Sequence, residues 1–259
     1  MSGIKRRIID AHLHLDDSIP GGAENAANDL DGQLAKAGIE AAVVLHLETQ
    51  RWPIEEVSKA LEAHKRLIGF ANIHPFDPDA LLKLRQAKDD LNFQGLKLHP
   101  RLQSFDISDD RVVELVREAG DLGLPVMMDA FPDGDWLMMG FDPLAFANLA
   151  KACPDTKIIF GHMGGHHCID MMMLAKRIPN MHFDISFSLL YYLMGSTREN
   201  ILYCCKSMGC QRVMFGSDHP GMIVGEALEK SLSIFSEADF SNTEMENVFF
   251  NNAAELLNW

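Results

Sequence analysis

Eight times along this chain a short apolar run ends in a histidine, an aspartate or a serine: 8–12, 41–46, 67–74, 95–99, 125–129, 157–162, 181–186 and 213–217. Between them lie amphipathic stretches of helical length, among them 57–65, 78–91, 109–122, 143–152 and 198–208. Strand, helix, strand at this regularity implies parallel pairing through right-handed crossovers, and eight such units close into a barrel. With 259 residues, 47% of them hydrophobic, the chain can fill one large core, and no Pro/Gly/Ser-rich linker divides it. The expectation is a single-domain α/β fold over residues 1–259, a (β/α)8 TIM barrel. A doubly wound open sheet is the alternative, but no glycine-rich phosphate loop follows the first run.

The first run continues as "IIDAHLHL", in which apolar and polar residues alternate. In a strand, residues two apart share a face and lie roughly 6–7 Å apart, so Asp10, His12 and His14 form a polar face and two imidazoles can close on one metal ion. A half-exposed edge strand with water-facing histidines would show the same pattern. Position along the chain favours the first reading. Nine of the eleven histidines (all but His64 and His182) fall at the carboxyl ends of the proposed strands or just beyond, the end at which barrels of this kind build their active sites.

Taken in order, "DAHLHL", "ANIHP", "GLKLHP", "FGHMGG", "FGSDHP" and the terminal "NNAAELL" resemble the amidohydrolase superfamily. More closely, the pattern is similar to the branch that includes aminocarboxymuconate semialdehyde decarboxylase and metal-dependent hydrolases of barrel fold. The resemblance implies one divalent metal ion held by His12, His14, a residue of the fifth strand and Asp218, with His162 beside it as acid/base or carbonyl polariser. Imidazoles and a carboxylate suit zinc, with manganese or iron as alternatives, and such a site activates water near neutral pH. The departure is at the fifth strand, where "LPVMMDAF" places Asp129 where the family usually has histidine. Asp129 then either ligates, hardening the site toward manganese or iron, or only balances Lys97 on the neighbouring strand.

Lys97 and His99 share a face of the fourth strand and are candidates for substrate contact, Lys97 by gripping a carboxylate; a buried ion pair with Asp10 or Asp129 is the competing role for Lys97. His166 is a further substrate candidate, unless it and His167 only solvate a helix start. His46 and His74 are weaker ones. Two apolar stretches, "AFPDGDWLMMGF" and "FSLLYYLMG", should overhang the mouth, as a lid or as a homo-oligomer interface. Thr243 and Glu246 have capping-box spacing.

A net charge of −14, with no basic cluster beyond "KRR" at 5–7, argues against nucleic acid as a partner. No apolar leader and no long uncharged apolar window is present, so the expected setting is cytoplasmic, off the membrane. Five cysteines without CxxC spacing fit reduced thiols. The leading expectation is a metal-dependent hydrolase cleaving a C–N, ester or lactone bond of a small molecule. The alternative is a non-oxidative decarboxylase, its leaving carboxylate gripped by Lys97, Arg101 or Arg51. A TatD-like deoxyribonuclease is disfavoured because "GLKLHP" offers no glutamate ligand. A barrel that has lost its metal through Asp129 would be a binding protein.

Overall fold

The computed structural model describes residues 6–259, so Lys5 of the basic triplet lies outside it. Eight strands form one sheet in chain order: β1 (Ile9–Leu13), β2 (Ala41–Leu45), β3 (Leu67–Asn72), β4 (Leu96–Leu98), β5 (Val126–Met128), β6 (Ile158–Phe160), β7 (Met181–Asp184) and β8 (Val213–Met214). Every neighbouring pair is parallel. The ring closes where Ala11 N–H donates to Phe215 O and Asp218 N–H donates to His12 O, each at 2.8 Å. The molecule is a TIM barrel. After β1 the strands end earlier than the apolar runs do, so His99, Asp129, His162 and Asp218 follow their strands, where the backbone is free to turn their side chains inward.

Side-chain alternation divides the core into two. Ile9, Ala11, Ala41, Val43, Leu45, Ile68, Phe70, Met127, Ile159 and Met214 fill the lumen, while the alternate residues, such as Leu96, Leu98, Val126, Met128 and Phe160, pack outward against the helices. The C-terminal helix Asn252–Leu257 plugs one end of the lumen: Phe250, Ala253 and Leu256 join its apolar filling, and Arg7 lies over the Phe250 ring at 3.8 Å.

The first strand is buried along its whole length, which removes the edge-strand reading. Its pairing with β2 slips between Asp10 and Leu13. Ile9 and Ala11 lie in the lumen but Leu13 and Leu15 lie outside it, so the bulge changes which parity faces in and turns His12 and His14 toward the axis. Asp10 is thereby separated from them. It stays within the wall, its Oδ1 accepting from Ser217 N–H at 3.0 Å and His12 N–H at 3.2 Å.

The helix Pro143–Ala152 forms over the expected residues, with Asp142 accepting from Leu144 N–H and proline in the first turn. The helix expected over 57–65 runs instead over Ile54–Glu62, because Pro53 at the N-cap starts it one turn earlier. The capping box also lies two residues before the expected pair. Ser241 and Glu244 make both reciprocal bonds, and Thr243 is already inside the helix Asn242–Glu246. No helix among the described residues is long and apolar enough to cross a membrane.

His182 on β7 supplies a stability test away from the polar end of the barrel. Burial, reinforced by Arg212 and Lys157, pushes its pKa down to about 4. The unfolded chain therefore takes up a proton near pH 6.5 that the folded chain refuses until pH 4, so stability is lost as pH falls through that window. The shift corresponds to at most about 3 kcal/mol. Urea unfolding at pH 4.5, 5.5 and 7 should show a shallower acid decline for His182→Gln than for the parent chain.

Candidate active site

Three non-glycine residues at the ends of β6, β7 and β8 hold left-handed backbone angles: His162 (φ 59°), Phe187 (φ 55°) and Asp218 (φ 59°). Each such residue costs of order 1 kcal/mol and persists only where its surroundings enforce it. The three line one cavity of ≈ 350 Å³ together with His12, His14, Lys97, His99, Arg101, Asp129, Phe131 and Asp133. The apolar lumen lies beneath this polar cavity.

His12, His14 and Asp218 converge, with one ligand atom from each lying within 4.8 Å of the others. Asp218 Oδ1 is 3.4 Å from His12 Nε2 and 3.9 Å from His14 Nε2. The other ring nitrogen of each histidine faces an acceptor: His14 Nδ1 lies 2.7 Å from Leu45 O and His12 Nδ1 lies 3.0 Å from Asp184 Oδ2. A carbonyl cannot donate, and Asp184 is held ionised because its imidazole and hydroxyl partners outweigh the effect of burial. Both Nδ1 atoms therefore carry the proton. Burial holds both imidazoles neutral, His14 well below its usual pKa and His12 below it despite Asp184. Their Nε2 lone pairs thus both face Asp218 Oδ1. Such a donor set fits a divalent cation, with both imidazoles already oriented by their outer hydrogen bonds.

His162 is set up oppositely. Its Nε2 meets Asp129 Oδ2 at 3.0 Å, and its Nδ1 faces both the carbonyl and the hydroxyl of Ser186 at 3.0 Å. Burial would raise the Asp129 pKa, but His99, His162 and Lys97 hold it well below the usual carboxylate range. Asp129 can then only accept, so both His162 nitrogens donate. Burial opposes that imidazolium, yet Asp129, Asp218 and Asp184 outweigh it and raise His162 to about 9. One pocket thus keeps two imidazoles neutral and a third charged, the separation that acid/base chemistry uses.

Asp129, expected as the fourth ligand, lines the same cavity but turns Oδ2 to His162 and, at 3.6 Å, to His99 Nε2. Lys97 is fully buried, and its Nζ has no hydrogen-bond partner and no ion pair among the described residues, so the expected alternative of a salt bridge to Asp10 or Asp129 is not formed. Burial lowers its pKa while Asp129, Asp184 and Asp218 pull it upward. Arg101 stands at the rim, with Nε 2.8 Å from Asp133 Oδ2. Phe131 and Phe187 meet edge to face at 5.0 Å and form the apolar wall.

Other expected contacts lie elsewhere. His166 is exposed, bonded to the Tyr192 hydroxyl at 3.2 Å, and does not line the cavity. Arg51 donates to Ile19 O and lines a different cleft beside Trp52 and His46. His74 bonds the loop backbone through Gln103 O and Phe76 N–H. All five cysteines are buried and free. Leu137, Met138, Met139, Tyr191 and Met194 of the two apolar stretches are exposed. The residues missed from sequence are Asp184 and Ser186. Their signal was "HFDIS", a third alternating strand end like that of "DAHLH".

The model of a family described as "Amidohydrolase" matches residues 9–259, and no curated protein matches the sequence. Among solved structures, an uncharacterized TIM-barrel protein, Bb4693, from Bordetella bronchiseptica superposes with a TM-score of 0.80 at 19% identity, covering 97% of this chain and 98% of that one. A probable 2-pyrone-4,6-dicarboxylic acid hydrolase from Acinetobacter baumannii, with citric acid bound, gives 0.71 at 16%, covering 98% and 100%. The 5-carboxyvanillate decarboxylase of Novosphingobium aromaticivorans, complexed with manganese and a nitrobenzoic acid, gives 0.70 at 14%, covering 100% and 98%.

Proposed function

Because the chain belongs to the amidohydrolase family, we propose that it is a metal-dependent hydrolase that cleaves a C–N, ester or lactone bond in a small carboxylated substrate. The observation that carries this reading is the meeting of three ligand atoms, His12 Nε2, His14 Nε2 and Asp218 Oδ1, at the mouth of a closed barrel. One divalent ion fits them, zinc first by donor type, manganese or iron if Asp129 joins as an oxygen ligand. A cation there supplies Lewis acidity and lowers the pKa of water toward neutrality.

The chain's own groups supply the rest. Asp218 can accept a proton from attacking water, and His162, charged and hydrogen-bonded on both sides, donates one to the leaving group or polarises the scissile carbonyl. We read Asp129 as the partner that keeps His162 charged, supported by their 3.0 Å contact. Lys97, buried without a hydrogen-bond partner or ion pair among the described residues, and Arg101 at the rim suit a substrate carboxylate. Phe131 and Phe187 suit the face of a small ring.

That cationic end also favours a second reading, non-oxidative decarboxylation. The acid names of the Acinetobacter hydrolase and the Novosphingobium decarboxylase agree with a carboxylated substrate for either reaction. Protein loaded with Zn²⁺ or Mn²⁺ should be offered carboxylated lactones, amides and hydroxybenzoates, with ring-opened or cleaved products and released CO2 followed together. Hydrolysis that stops on chelation is expected. CO2 release without hydrolysis replaces the leading reading by the second, and no turnover of any member with either metal overturns both.

Lys97→Met is expected to raise the KM for the carboxylated substrate about 10-fold or more, the loss of one charge-assisted bond. Removing a buried amine that has no hydrogen-bond partner should also raise the melting temperature. Steady-state kinetics and thermal unfolding of the same preparation check both.

A further inference from the structure

Asp184 touches no part of the cavity, yet both of its oxygens are committed to groups that do. It is fully buried. Oδ2 accepts from His12 Nδ1 at 3.0 Å. Oδ1 accepts from His162 N–H at 3.2 Å, Ser186 N–H at 2.9 Å and the Ser186 hydroxyl. The same hydroxyl lies 3.0 Å from His162 Nδ1. Oδ1 is filled by three donors and Oδ2 is turned to His12 Nδ1, although the carboxylate meets ligand spacing with His12 and His162.

We propose that Asp184 is a positioning residue that sets the two unlike imidazoles of the site at once: through Oδ2 it fixes the Nδ1–H tautomer of His12, so that Nε2 offers a lone pair to a divalent cation, and through Oδ1 and Ser186 it fixes the turn and ring of His162. This rests on the reading that His12 takes a cation. The inward parity of β7 explains why the residue can do this. Asp184 and Ser186 are two apart on the inward face, between the end of the neighbouring β6, which carries His162, and β1, which carries His12 one strand beyond β8. Small residues make the approach possible: a Cβ on Gly216 would stand 2.7 Å from His12 Cβ and 2.9 Å from Ser186 Cβ, and one on Gly161 would stand 3.3 Å from His12 Cε1.

The proposal makes the isosteric change informative. In Asp184→Asn one oxygen becomes an amide that can only donate. Three donors already point at the Oδ1 position, so the carbonyl oxygen of the asparagine belongs there and its NH2 faces His12. His12 Nδ1 must then accept, its proton moves to Nε2, and the lone pair facing Asp218 is lost. Ser186→Ala leaves the His12 contact untouched.

Affinity for Zn²⁺ and Mn²⁺, measured by chelator competition, should fall about 10- to 100-fold in Asp184→Asn, the usual loss for an outer partner of a metal-binding histidine, and by less than about 3-fold in Ser186→Ala. Long-range ¹H–¹⁵N spectra of the metal-free parent should show His12 protonated on Nδ1, and on Nε2 in Asp184→Asn. A parent His12 protonated on Nε2 overturns the proposal whether or not the variant folds, as does a folded Asp184→Asn that binds both ions as the parent does. A parent chain that binds neither ion overturns the metal reading of the preceding section, while the parent spectrum still decides the role of Asp184.

Discussion

Asp218→Asn is expected to lower turnover by about three orders of magnitude or more and to leave the protein short of its metal, with its fold retained. The backbone argues for a clean result. Asparagine tolerates the left-handed angles that Asp218 holds, and the N–H that donates to His12 O to close the ring remains in place. What disappears is the carboxylate that, among the described residues, faces both His12 Nε2 and His14 Nε2. The amide is a weaker ligand and cannot accept a proton from water. Metal analysis after exhaustive dialysis, thermal unfolding of metal-free protein and kinetics on the best substrate of the panel check the three parts. Parent-like occupancy and rate would remove Asp218 from both of its roles.

His162→Asn separates proton handling from metal binding. Asparagine again accepts the left-handed turn, but it cannot present a charged donor to Asp129 while donating to Ser186. Turnover is expected to fall about 10²- to 10⁴-fold, the range of a lost general acid or base. Metal content should stay at the parent level, because His162 is not one of the three residues, His12, His14 and Asp218, that converge at the mouth. Stability should fall by about 1–3 kcal/mol, since Asp129 is left buried with its principal donor gone. A variant that turns over normally, or that loses its metal together with its rate, would contradict the division of labour between His162 and the trio.

The two variants mark how far residue order reaches. Eight apolar runs and the clustering of histidines behind them were enough to place His12, His14, His162 and Asp218 at one rim, because a barrel brings the carboxyl ends of all its strands together whatever their separation in sequence. Alternation on β4 likewise put Lys97 and His99 on one face, and the family resemblance put Asp129 at the end of β5. His166 was misassigned because the glycine turn before it carries it outward to Tyr192, and nothing in "HMGGHH" tells which of its histidines stays inside. Asp184 was passed over because a carboxylate in a strand has no meaning until its neighbours across the sheet are known.

The order of residues by itself determined the number of strands, their parallel closure and the set of groups gathered at the barrel mouth, because strand and helix periodicities and the short crossovers between them are local properties. Only the tertiary structure decided which groups are protonated and toward what they turn. The bulge in β1 that sends Asp10 into the wall and His12 to the axis, the bond from Asp184 that frees one nitrogen of His12, and the paired donors that keep His162 charged all depend on contacts between strands far apart in sequence, inside a medium too poor in water to screen them.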